Sequence, residues 1–180
     1  MDASRKAFKE TKIFVDKLFV NFSEDDLPVK IESIVRDQQI DLVYYTFDDD
    51  ISGVLVLNDN QTTIGVNQGH PDVRRRFTIA HELGHFVLHK DQGKMFMDKI
   101  LFRKSSNDYS EKQEQLEKEA NNFAANILMP EKIVKKLFSE SIKDFYDDSS
   151  IQNLAERFGV SASAMTYRLI NLGLIDFTNR

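Results

Sequence analysis

The chain has no cysteine and no tryptophan, and it has only three prolines and four histidines among its 180 residues. Without cysteine there is no disulfide and no thiolate ligand, so any transition metal must be held by imidazole and carboxylate. No apolar run approaches the roughly 20 residues that cross a bilayer. The opening Met1-Asp2-Ala3-Ser4-Arg5-Lys6 leads into an amphipathic segment, not an apolar signal core. These absences predict a cytoplasmic protein with no membrane association. A basic excess is missing as well: 24 Lys and Arg stand against 29 Asp and Glu, for a net charge of −5. The chain therefore lacks the usual footprint of a nucleic-acid binder, and its acidity suits a basic protein partner. What it does have is 41% hydrophobic residues, including 14 Phe, enough to bury a core in one domain with a small appendage.

Apolar periodicity predicts an α+β fold that is mainly helical. Phe8, Thr11, Val15, Leu18 and Phe22 recur at helical spacing, which predicts a first helix over 2–22. A shorter helix follows around Ile31, Ile34 and Val35. Three strand-like runs, Ile40–Phe47, Ile51–Leu57 and Thr62–Asn67, are separated by Asp48-Asp49-Asp50 and Asn58-Asp59-Asn60. Both separators are good turn sequences, so the runs predict a small three-stranded antiparallel sheet. Pro71-Asp72 opens a helix that is apolar on most of its circumference and hence central. Residues 91–109 read as a polar loop, a flap or rim around a site. Ser110 and Gln113 form a capping-box pattern at the start of a long helix that ends at Pro130. A short helix runs to about Phe138. The acidic stretch Ser139–Ser150 reads as a linker, which divides the chain into 1–138 and a C-terminal helical segment, 139–180.

The most informative residues are His81-Glu82-Leu83-Gly84-His85. On a helix they place two imidazoles one turn apart with a carboxylate beside them. That supplies two ligands of a catalytic zinc site and its general base, Glu82. His89 continues the series, but it lies about 12 Å from His81 along the axis, too far to share an ion with it. It reads as a packing or rim residue, or as a substrate contact. A helix break that would bring Asp91 round is absent, because Leu88 continues the helix.

A third ligand must then come from elsewhere. The long helix after the loop offers Glu111, Glu114, Glu117 and Glu119 beside an apolar stripe of Leu116, Ala120, Phe123, Ala124, Ile127 and Leu128. Glu117 lies roughly 60° from the stripe's centre, and Glu114 and Glu119 roughly 100° or more. Glu117 is thus the acid turned most nearly inward, and a carboxylate near a core needs a partner: a metal ion, or alternatively a neighbouring lysine. Asn121, one turn on, can orient a ligating histidine through its outer nitrogen. Tyr109, at the end of the polar loop, is a candidate donor to a developing oxyanion or a substrate contact.

Arg74-Arg75-Arg76-Phe77-Thr78-Ile79-Ala80-His81-Glu82-Leu83-Gly84-His85 resembles the signature of the ImmA/IrrE zinc metallopeptidases. The run from Glu117 to Pro130 resembles the same family's second motif, and the resemblance covers residues 74–130. It implies a zincin-like core, one catalytic zinc on His81, His85 and Glu117, and Glu82 as the catalytic residue. It also implies a protein substrate, a helix-turn-helix transcriptional repressor cut during stress or mobile-element induction.

Leu154–Ser161 followed by Met165, Leu169 and Leu172 resembles a helix-turn-helix, with Gly159 at the turn. Its second helix carries a single basic residue, Arg168, and residues 139–180 hold four Lys or Arg against six Asp or Glu. DNA binding is therefore not expected, and packing or recognition of a protein partner is. The rival reading is a noncatalytic, metal-stabilised regulator that binds DNA or protein through these helices. The sequence gives no sign of oligomeric state.

Overall fold

In the computed structural model, residues 3–48, 50–99, 110–141 and 148–176 are described. Seven helices and four strands lie among them. The helices are α1 (Ala3–Leu18), α2 (Ile31–Asp37), α3 (Asp72–His89), α4 (Glu111–Leu128), α5 (Glu131–Ser141), α6 (Asp148–Phe158) and α7 (Ala162–Asn171). The strands are β1 (Ile40–Tyr45), β2 (Ile51–Leu57), β3 (Thr62–Asn67) and β4 (Met95–Lys99). The α+β architecture matches the expectation, but the sheet differs in two respects. It has four strands in the order β1-β3-β2-β4, and β1 runs parallel to β3 while the other neighbours are antiparallel. β1 joins the far edge of β3, so β1 and β2, though consecutive, are not hairpin partners. The fourth strand arises inside the stretch read as a polar loop. Its Met95, Phe96 and Met97 pair with Val56, Leu55 and Val54.

α3 is the axis of the molecule. Thr78 through His85 are all buried, with the sheet on one side and α4 on the other. This explains a helix that is apolar nearly all round. Gly84 sets the closeness of α3 to α4: a methyl there would stand 3.1 Å from Phe123 Cδ1 and 3.2 Å from the Ala120 Cα. Phe123, fully buried, fills the space below and meets Phe14 of α1 at 5.3 Å between ring centroids. Ser110 caps α4 as expected, its hydroxyl accepting from the Gln113 backbone N–H while the Gln113 side chain accepts from the Ser110 N–H. α1 ends at Leu18, one turn short of the apolar periodicity.

The C-terminal helices share the main core. Phe158, Met165 and Leu169 are buried in one cluster with Ile127, Leu128 and Val29. Polar ties reinforce this packing. Arg76 of α3 donates from Nε to the Gly159 carbonyl at 3.1 Å and from Nη2 to the Val29 carbonyl at 2.8 Å. Gly159 adopts φ +62, the left-handed turn between α6 and α7. No helix among the described residues is long and apolar enough to cross a membrane.

Candidate metal centre

His81, His85 and His89 occupy successive turns on one face of α3, and the face looks onto α4. His81 and His85 point Nε2 toward the same place, 3.1 Å apart. Glu117 of α4 brings Oε2 to 3.2 Å from His81 Nε2 and Oε1 to 3.3 Å from His85 Nε2. Donors about 2.0–2.1 Å from one tetrahedral ion stand about 3.3 Å from each other, so these separations are those of a zinc-sized cage. Among the described residues, His81, His85 and Glu117 form the one cluster with this property.

The hydrogen bonds behind the rings agree with that geometry. His81 Nδ1 faces Asn121 Oδ1 at 3.1 Å, and because an amide oxygen only accepts, the ring's N–H points there. His81 Nε2 is thereby a lone pair turned inward. Two imidazole lone pairs and two carboxylate oxygens at mutual contact repel unless a cation lies between them. The donor set therefore fits a divalent metal of the zinc class, and imidazole with carboxylate is the ligand chemistry zinc accepts.

Glu82 is buried on the α3 face toward β2. Gly53 of β2 makes room for it: a methyl at Gly53 would stand 3.2 Å from Glu82 Oε1 and 2.4 Å from Thr78 Cγ2. Neither neighbour can retreat from a fully packed helix. Gly53→Ala is expected to cost about 1–3 kcal/mol of stability through overpacking. The same change is expected to shift Glu82, whose Oε1 the added methyl would approach to 3.2 Å. A melting curve matching the parent's would show that the strand has slack.

Burial pushes the His85 imidazole down from its ordinary 6.5 to about 4, while Glu117 pulls the other way. Burial would raise the Glu117 carboxyl, but the His81 and His85 rings beside it hold it well below the usual carboxylate range. The centre thus holds neutral imidazole beside carboxylate, the protonation states a metal requires. A consequence appears in the metal-free protein. Below pH 6.5 the unfolded chain takes up a proton at His85 that the folded protein refuses until about pH 4. Stability therefore rises with pH across that window and is lost on acidification, by on the order of 3 kcal/mol. Urea midpoints at pH 7 and pH 4.5 should show the loss, and His85→Gln should shrink it. An unchanged difference in that variant would assign the acid sensitivity elsewhere.

The structure places the remaining candidates as follows. Asn121 contacts His81, as expected of an orienting residue. His89 is buried, 1% exposed, behind His85. Glu119, which the stripe arithmetic turned outward, is more buried than Glu117: its side chain is 11% exposed against 30%. Tyr109 lies outside the described residues. Within the arginine run, Arg74 Nη2 donates to Ser52 Oγ of β2, and Arg75 pairs with Asp72 and donates to the His70 carbonyl. Two features were missed from sequence. Phe96 of β4 stacks on the His85 ring, with centroids 4.7 Å apart and planes 18° off parallel. A cleft of about 640 Å³ between β4 and the start of α4, lined by Met95, Phe96, Met97 and Leu116, reaches the centre at Glu117.

Residues 33–170 match the IrrE N-terminal-like domain, a peptidase family. The chain belongs to this family. A solved Mycobacterium tuberculosis transcriptional regulator shares the fold at TM-score 0.61 and 18% identity. The match covers 89% of this chain and 46% of that one, so this chain spans about half the regulator's length. No protein of curated function matches the chain. His81, His85 and Glu117 all lie within the matched span.

Proposed function

We propose that this IrrE-type chain is a zinc-dependent endopeptidase acting on a protein substrate. One observation carries the reading: Glu117, from a helix distant in sequence, meets the inward nitrogens of His81 and His85 at 3.2 and 3.3 Å, and the buried Glu82 lies between these two histidines in sequence. Three protein ligands leave a position for solvent, whereas a structural zinc site is closed by four. His81, His85 and Glu117 would hold a zinc ion, which would supply Lewis acidity toward a peptide carbonyl and water. Glu82 takes the proton of the attacking water and delivers it to the departing amine nitrogen. Asn121 holds the His81 ring with its lone pair inward. The cleft beside β4 admits an extended peptide, and its Met95 and Met97 offer flexible apolar surface to it.

The substrate class we assign is a helix-turn-helix transcriptional repressor. Its support is the resemblance of both motifs to ImmA/IrrE peptidases, together with a fold shared with a transcriptional regulator. The rival, a DNA-binding role for the C-terminal helices, finds little support in α7. Arg168, the only basic residue of that helix, is 5% exposed; it donates to the Met129 carbonyl at 3.1 Å and to Asn126 Oδ1 at 3.0 Å. It is a tie to the end of α4, with no reach toward a phosphate. The test is to incubate the protein, with zinc and with a chelator, with the repressor encoded beside its gene. Zinc-dependent appearance of two fragments supports the assignment. An intact repressor under both conditions removes that substrate and leaves the metal centre standing.

A further inference from the structure

The α3 face carries one histidine more than the metal cage uses. His89 Nδ1 lies 3.0 Å from His85 Nδ1, and His89 Nε2 lies 3.0 Å from Glu119 Oε2. Glu119 Oε1 in turn accepts from the Gln115 side-chain amide at 2.6 Å. Read from the outer end, this line has a single consistent polarity. The Glu119 carboxylate can only accept, so His89 Nε2 carries the hydrogen that reaches it. A neutral imidazole has one N–H, so His89 Nδ1 is then a lone pair. That lone pair can face His85 Nδ1 at 3.0 Å only by accepting its hydrogen. His85 Nε2 is left as a lone pair, aimed at the cage. Phe96, stacked on the His85 ring, blocks rotation out of this line.

We propose that His89 and Glu119 are positioning residues, a relay that fixes the tautomer of His85 and so presents its Nε2 to the metal. The α3–α4 pair thereby holds its two ligating rings by different means: His81 by the Asn121 amide, His85 by an imidazole backed by a carboxylate. Outer partners of this kind are worth about 10–100-fold in metal affinity. The relay rests on the metal reading given above, and it also makes a claim about the metal-free protein.

Two measurements test it. In ¹⁵N-labelled protein without metal, the ring nitrogens of His85 are assigned by their long-range couplings to the ring protons. The Nδ1–H form is expected in the parent and lost in His89→Phe. Zinc affinity is then measured by competition with a chromophoric chelator. His89→Phe is expected to bind about 10–100-fold more weakly. His89→Gln, whose oxygen can accept from His85 while its amide donates to Glu119, is expected to recover most of that loss. A merely space-filling role would favour Phe over Gln. Glu119→Ala, at the edge of the line, covers the case in which His89→Phe does not fold; it is expected to weaken zinc and to mix the His85 tautomers. An Nε2–H tautomer in the parent, or parental zinc affinity in the folded variants, overturns the relay. Failure of the parent to bind zinc at all would instead overturn the metal reading, with the tautomer result still deciding the hydrogen-bond line.

Discussion

On the proposed function, Glu82→Gln protein is expected to keep its zinc and to lose cleavage by roughly a hundred- to ten-thousandfold, the usual share of a positioned general base. The amide preserves the shape of a side chain that is wholly buried between α3 and β2, so the cage is undisturbed. What disappears is the capacity to take a proton from water. Zinc content by elemental analysis and cleavage of the repressor should be read on one preparation. Full activity in this variant would remove Glu82 as the proton acceptor. Loss of zinc together with activity would mean that its role lies in the cage.

Glu117→Gln should abolish stoichiometric zinc. Charge and geometry act together here. The carboxylate reaches both Nε2 atoms, at 3.2 and 3.3 Å, and no other acid among the described residues joins the cluster. An amide oxygen is a poor substitute for a carboxylate at a site whose other ligands are neutral. The loss should exceed the roughly 10–100-fold expected on removing an outer hydrogen-bond partner. Glu119→Gln is the informative comparison: it should weaken zinc only to the lesser degree. Equal loss in the two variants would deny Glu117 its place as the third ligand.

The histidine pair and Glu82 were legible from sequence because one helical turn fixes their relation without reference to anything else. Glu117 was legible by a weaker argument, the angle to an apolar stripe. The same angle turns Glu119 outward, yet Glu119 is the more buried of the two because its surroundings are set by the far end of α3 and not by α4's own stripe. The line from His85 to Glu119 depends on how closely two helices pack, and Gly84 allows that packing only in three dimensions. β4 was hidden for a similar reason. Met95, Phe96 and Met97 lie among charged residues, and their partner strand, β2, is about 40 residues earlier, with no turn to announce the pairing. The parallel β1–β3 pairing likewise follows from a crossover that turn residues alone do not reveal. The motif resemblance carried the family; it did not carry the second support of His85.

Gly84 has a last consequence. By letting α3 and α4 touch, it places the ligands of both helices on one rigid frame assembled by apolar burial and not by the ion. Small zinc modules melt when a chelator strips them. Here a sequestering agent should leave an intact, silent protein that reloads as soon as the cation returns. On the proposed function, supply of the cation, and not synthesis of new chains, would then be a reversible throttle on activity.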